Sequence, residues 1–207
     1  MLIGPNAAIV MDRRVRSTYM ANVYDFYKPD LSSEYPYVDG PLSNKCYLQA
    51  LDKCYNLYFD KVNLIHANCS GANEENHKTV TLDSFDGILF HAPYCKLVQK
   101  SVARMYLLNS LRLHAQNPTL LPIQLEKYKY ACLSLIYLFI YLTSDHSFFR
   151  NIKLEDSYND RDLEKLLLTL SSDIFLKKTD PSLMLAREIG NMYTASLYAC
   201  LISYLLR

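Results

Sequence analysis

An apolar run, Gly87-Ile88-Leu89-Phe90, delivers a single histidine to its end, and Pro93 follows His91 after one alanine. Imidazole titrates near neutrality, so a histidine held at the end of a rigid element can give a proton to a developing alkoxide at little cost. A lone histidine at such a place is nevertheless more often a satisfied structural residue. Lys96 and Lys100 stand four apart beyond it, hence on one face of a helix, where a solvated surface is the default and a paired ammonium site for an anion the alternative. Asp25 lies among Tyr24, Tyr27, Tyr35 and Tyr37, and by spacing alone a turn carboxylate bonded to backbone amides is favoured over a catalytic one. Ser43 reads as a helix N-cap, and Asn191, after Gly190, reads evenly as a turn residue or an amide donor. The six cysteines, Cys46, Cys54, Cys69, Cys95, Cys132 and Cys200, form neither a CxxC pair nor a cluster of metal-ligand spacing. Neither a metal site nor a disulfide framework is expected, and reduced thiols fit a cytosolic or organellar-matrix setting.

These residues need elements to hold them. The four-residue apolar run before His91 predicts a buried strand, and Cys95–Leu111 predicts an amphipathic helix with Leu97, Ala103, Leu107 and Leu111 on one face. Leu42–Leu64, opened by Ser43, predicts a second helix. Tyr19–Gly40 is rich in tyrosine and turn residues and reads as an ordered loop whose rings form a wall. Met1–Met11 predicts two short buried strands or one broken by a turn, and residues 66–80 a solvated loop in which His66 and His77 carry no role. Asp160–Phe175 predicts one helix with Asp160 near its start, Ser182–Ala186 a strand, and Met192–Leu206 an apolar helix buried on several sides. The run Tyr130–Leu142 falls short of the roughly 18–20 apolar residues of a membrane span. It reads as a buried helix or strand, or as translated non-coding sequence.

Four stretches together resemble one family. Phe90-His91-Ala92-Pro93-Tyr94-Cys95-Lys96-Leu97-Val98-Gln99-Lys100-Ser101-Val102-Ala103-Arg104 is similar to the catalytic-histidine segment of hydroxymethylglutaryl-CoA synthases. Tyr24-Asp25-Phe26-Tyr27-Lys28-Pro29-Asp30 with Ser33-Glu34-Tyr35-Pro36, then Lys153-Leu154-Glu155-Asp156-Ser157-Tyr158, then Gly190-Asn191-Met192-Tyr193-Thr194-Ala195-Ser196 resemble the same family in the same order. The resemblance implies an acyltransferase that condenses acetyl-CoA with acetoacetyl-CoA and releases hydroxymethylglutaryl-CoA and CoA, in mevalonate or ketone-body metabolism. It implies His91 as the catalytic acid, Asp25 as active-site support, and Ser43, Lys96, Lys100 and Asn191 as contacts to CoA or substrate. It also implies a homodimer when complete, no cofactor beyond the thioester substrates, and a cytoplasmic place, a mitochondrial isoform remaining open. No cysteine lies in a segment resembling the family's nucleophile, the segment of its general-base glutamate is absent, and Tyr19 stands where many relatives have histidine. Cys95 is therefore not promoted.

The expected fold class is α/β, a thiolase-like layered αβαβα fold, incomplete in this chain. Residues 1–111 are expected to form the end of the N-terminal half with the histidine segment, 112–150 an atypical apolar insertion, and 151–207 the start of the C-terminal half. At 207 residues and half hydrophobic, the chain can bury a sizeable core. Its formal net charge of +1 supplies no field for nucleic acid or an anionic membrane, so no partner of either kind is expected. The alternatives are another condensing enzyme of the thiolase superfamily, and a non-catalytic remnant that binds CoA or a subunit.

Overall fold

The structure, a computed structural model, describes residues 4–69, 80–116 and 154–207. Two strands, β1 (Phe26–Tyr27) and β2 (Tyr37–Val38), pair antiparallel with Phe26 opposite Val38 and Tyr27 opposite Tyr37. Helices follow: α1 (Gly40–Cys69), α2 (Cys95–Gln116), α3 (Arg161–Leu170), α4 (Ser172–Lys178), α5 (Met184–Ile189) and α6 (Ser196–Leu205). Short 3-10 turns at Leu82–Ser84, Leu154–Tyr158, Asp180–Leu183 and Tyr193–Ala195 link them.

The central helix is not the amphipathic one expected: the face predicted from its spacing is buried, and so is most of the rest of its circumference. Leu97, Ala103, Leu107 and Leu111 are all buried along α2, and Leu163 and Leu167 of α3 close over Ala103, Leu107 and Leu111. On its other side Val98, Val102 and Leu108 meet Tyr55 and Phe59 of α1, Phe175 of α4, Leu183, and Cys200 of α6. Burying this surface is the main force available to hold the other five described helices around α2. Asp160 caps α3 as its sequence position predicts, its carboxylate accepting from the N–H groups of Asp162 and Leu163.

Several expectations are corrected. α1 starts at Gly40, ahead of Ser43, because Asp39 is the cap: its Oδ1 accepts the Leu42 N–H at 3.0 Å and its carbonyl the Ser43 N–H at 2.8 Å. Pro41 in the first turn costs nothing, since an N–H there has no intrahelical acceptor. The helix also runs on to Cys69, so His66 lies in its last turn. Gly87–Phe90 is extended but joins no sheet; its backbone link is Ile88 N–H to Lys178 O at 2.9 Å, and Lys178 Nζ donates to the carbonyls of Leu82 and Phe85. Ser182–Ala186 is helical, because Pro181 sits in the first turn of a 3-10 segment that continues into α5. The single helix expected over Asp160–Phe175 breaks at Ser171 into α3 and α4. α6 buries only Ser196, Ala199, Cys200 and Ser203, while Leu197, Tyr198, Ile202 and Leu205 are exposed. Residues 4–11 form an exposed, irregular stretch rather than strands. The expected tyrosine wall is a surface cluster in which Tyr27 meets Tyr24 and Tyr37 at ring distances of 5.3 and 5.8 Å. The apolar run 130–142, His77 and Cys132 lie outside the described residues.

One buried ion pair crosses this core. Arg104 of α2 donates through Nε and Nη2 to both carboxylate oxygens of Asp52 on α1, at 2.7–3.2 Å, and the two side chains are 5% exposed. Tyr158 Oη donates to Asp52 at 2.6 Å and its ring lies under the guanidinium, 4.3 Å away, while Ser157 Oγ accepts from Arg104 Nη1 at 2.5 Å. Asp52→Ala should therefore destabilise the chain by about 3–5 kcal/mol, because the Arg104 charge would stay buried without its partner. Urea unfolding checks this, and a loss under about 1 kcal/mol would contradict it.

Candidate functional site around His91

The segment that carries His91 keeps the alternation of an extended chain. Phe90 and Ala92 are buried, 7% and 1% exposed, and His91 between them faces out. Gly87 is needed where this segment passes Tyr204, since a Cβ there would stand 2.5 Å from the ring carbon Cζ, and Tyr204 Oη donates to Asp86 O at 2.6 Å. Two residues of α1 hold the turn beyond it. Tyr47 Oη donates to the His91 carbonyl at 2.6 Å, and Tyr94 Oη donates to Asn44 Oδ1 at 2.9 Å. From the opposite end of the chain Ser196, wholly buried at the start of α6, accepts the Ala92 N–H at 2.8 Å and donates to Ala92 O at 3.3 Å.

Two of the other candidates, Asp25 and Ser43, lie at the start of α1, and no contact joins Asn191, Lys96 or Lys100 to His91 among the described residues. Asp25 sits at the end of the β-ribbon, its carbonyl accepting the Asp39 N–H at 2.8 Å, which puts it beside the N-terminus of α1. Ser43 lies one helical turn before Tyr47 and so on the same face of α1. Asn191 follows Gly190, whose φ of 87° only glycine adopts readily, and Asn191 Oδ1 accepts the Tyr193 N–H at 2.8 Å. Lys96 is exposed and donates to Gln99 Oε1 at 2.9 Å, whereas the Lys100 ammonium pairs with Glu164 of α3 at 2.9 Å. The two lysines share a helix, but Lys100 is already engaged by a carboxylate.

Thiol chemistry is disfavoured at three of the cysteines. Burial pushes the Cys46 thiol up, and the Asp25 carboxylate adds to the shift; burial likewise raises Cys54 and Cys200, the latter helped by Cys95. A raised thiol carries little thiolate at neutral pH. Among the described residues no group of three or more His, Cys, Asp or Glu side chains stands ready for a metal ion, and no helix is long and apolar enough to cross a membrane. An open groove of about 520 Å³ runs along the far side of the extended segment, lined by Leu51, Tyr55, Phe59, Ile88, Phe90 and Met105 among others. None of the candidate site residues His91, Asp25, Ser43, Lys96, Lys100 and Asn191 lines it.

The arrangement of elements is shared with a solved structure. A solved structure of MvaS in complex with 3-hydroxy-3-methylglutaryl coenzyme A superposes with a TM-score of 0.58 at 23% identity, covering 94% of this chain and 35% of that one. The fold is thus part of a thiolase-like fold, here mostly helical with one two-stranded ribbon. The family model described as "Hydroxymethylglutaryl-coenzyme A synthase C terminal" matches residues 9–133 and 140–207. The chain is 49% identical over 206 residues to hydroxymethylglutaryl-CoA synthase 2 of Blattella germanica, covering all of this chain and 39% of that protein. It is 44% identical to the cytoplasmic synthase of Homo sapiens and 44% identical to the mitochondrial synthase of Sus scrofa, covering 99% of this chain in each case and 34% and 35% of those proteins. The chain belongs to the hydroxymethylglutaryl-CoA synthase family and spans between a third and two-fifths of the length of these relatives.

Tyr47 and Ser196 escaped the sequence reading. Ser196 ends a recognised motif, whereas Tyr47 stood unmarked within a helical pattern. Burial raises the Tyr47 phenol from 10.0 to about 12, and burial, followed by the Asp52 charge, raises Tyr158 further. Both phenols hold their protons more tightly in the fold than in the unfolded chain. Their contribution to stability is complete below pH 10 and is lost as pH rises through the folded values. The urea midpoint should fall between pH 10 and 12, and less steeply in Tyr47→Phe than in the parent; equal slopes would contradict the Tyr47 assignment.

Proposed function

We propose that this chain supplies the acid and thioester-binding part of a hydroxymethylglutaryl-CoA synthase. The observation that carries the reading is an outward-facing His91 on a turn anchored by two helices, in a chain of this family. In the reaction the enolate carbon of an enzyme-bound acetyl thioester attacks the ketone carbon of acetoacetyl-CoA, and the C–C bond forms as the ketone oxygen takes the electron pair. His91 gives that oxygen its proton. Water then cleaves the enzyme thioester, releasing 3-hydroxy-3-methylglutaryl-CoA. Asp25 supports the site from the start of α1, Ser43 and the Asn191 amide contact the acyl thioester, and Lys96 and Lys100 meet CoA phosphates, Lys100 by exchanging Glu164 for the ligand.

The nucleophilic cysteine is not among the residues we assign, consistent with the raised thiols of Cys46, Cys54 and Cys200. We further propose a cytoplasmic homodimer; a cytoplasmic place is supported by the human relative, whereas the pig relative is a mitochondrial form. The division at 111 and 150 stands as part of the same proposal.

Native protein captured from its source with an antibody against residues 83–104 should convert acetyl-CoA and acetoacetyl-CoA to 3-hydroxy-3-methylglutaryl-CoA. The purified 207-residue chain should bind that product without turnover, about tenfold more weakly in Lys96→Ala, a charge-assisted contact being worth about 1.5–3 kcal/mol. Product binding without turnover by the captured protein would favour the non-catalytic reading, and turnover by the 207-residue chain that vanishes in His91→Ala would overturn the assignment of a nucleophile elsewhere.

A further inference from the structure

The peptide bond between His91 and Ala92 is held at both of its polar ends, each from a different helix. Its C=O accepts from Tyr47 Oη of α1 at 2.6 Å, and its N–H donates to Ser196 Oγ of α6 at 2.8 Å. Because a trans peptide points these two groups in opposite directions, the two helices grip the plane from opposite edges. Ser196 then spans the next unit as well, its hydroxyl donating to Ala92 O at 3.3 Å. The plane orientation is set by the torsions ψ of His91 and φ of Ala92, and those torsions decide where the His91 Cα–Cβ bond points. Pro93 limits the residue before it to extended conformations, which removes a further freedom on the C-terminal side.

We infer that Tyr47 and Ser196 are positioning residues for His91, fixing the direction of its imidazole by clamping one peptide plane. The inference deepens the functional reading above and rests on His91 being the acid. The helix contacts are 44 and 104 residues distant in sequence, so the histidine is aimed by the packing of α1 and α6 and not by its own segment. Neither hydroxyl has to touch substrate for this.

Two conservative deletions test it in the 207-residue chain: Tyr47→Phe, which keeps the ring, and Ser196→Ala, which keeps the backbone. Amide hydrogen exchange read by NMR should accelerate about tenfold or more at Ala92 in Ser196→Ala, the loss of a buried acceptor, with smaller acceleration in Tyr47→Phe and none at Val98 and Val102 of α2. With 3-hydroxy-3-methylglutaryl-CoA added, both variants should bind within about threefold of the parent affinity while the ligand-induced shift of the His91 imidazole resonances falls by half or more. A role in stability alone would speed exchange throughout α2, or weaken binding and leave the His91 shift at saturation unchanged; either result overturns the inference, as does unaltered exchange at Ala92. If the parent chain binds the thioester with no shift at His91, the functional reading fails, and the Ala92 exchange still decides the clamp.

Discussion

The Asp52–Arg104 pair is the constraint on which the remaining geometry depends. Two charges of opposite sign are taken out of water between α1 and α2, and the arrangement is tolerable because the partners around them are nearly complete: Tyr158 and Ser157 on one side, the Leu154 carbonyl on another. Apolar packing between two helices tolerates sliding by a residue or so, whereas a bidentate guanidinium–carboxylate contact does not. Register between α1 and α2 is thereby fixed. Tyr47 lies a little over one turn before Asp52, and the histidine turn leads directly into α2, so this register is also what brings the Tyr47 hydroxyl to the His91 carbonyl.

The parts of the fold legible in the sequence are those governed by local rules. The helical state of α2 and the Asp160 cap follow from apolar spacing and from a side chain bonding amides two and three residues ahead, whereas the burial of α2 on its other faces does not. Failures concentrate where an apolar run is short. Gly87–Phe90 and Ser182–Ala186 satisfy the strand pattern equally well as an extended connector and a helix, and only their neighbours decide, Lys178 O for the first and the helical turn begun at Pro181 for the second. The ion pair was silent for a different reason. Asp52 and Arg104 are 52 residues apart, and nothing in either local pattern marks a charge that will be buried.

The site shows the same division. His91, Asp25 and Asn191 were singled out because they sit in motifs, and the structure has them between elements, where a side chain can leave the scaffold. Their supports were not legible, since Tyr47 and Ser196 act through backbone contacts across 44 and 104 residues. The lysines fall between. Their spacing correctly puts them on one helix, yet nothing in the local pattern marks Glu164 of α3 as the partner of Lys100.

The most direct measurement of the account is a crystal structure of the chain with 3-hydroxy-3-methylglutaryl-CoA bound. The account predicts the 3-hydroxyl oxygen within about 2.6–3.2 Å of a His91 ring nitrogen, the distance a proton donor requires. A thioester seated in the apolar groove behind Ile88 and Phe90, with the His91 imidazole out of reach of the hydroxyl, would contradict it.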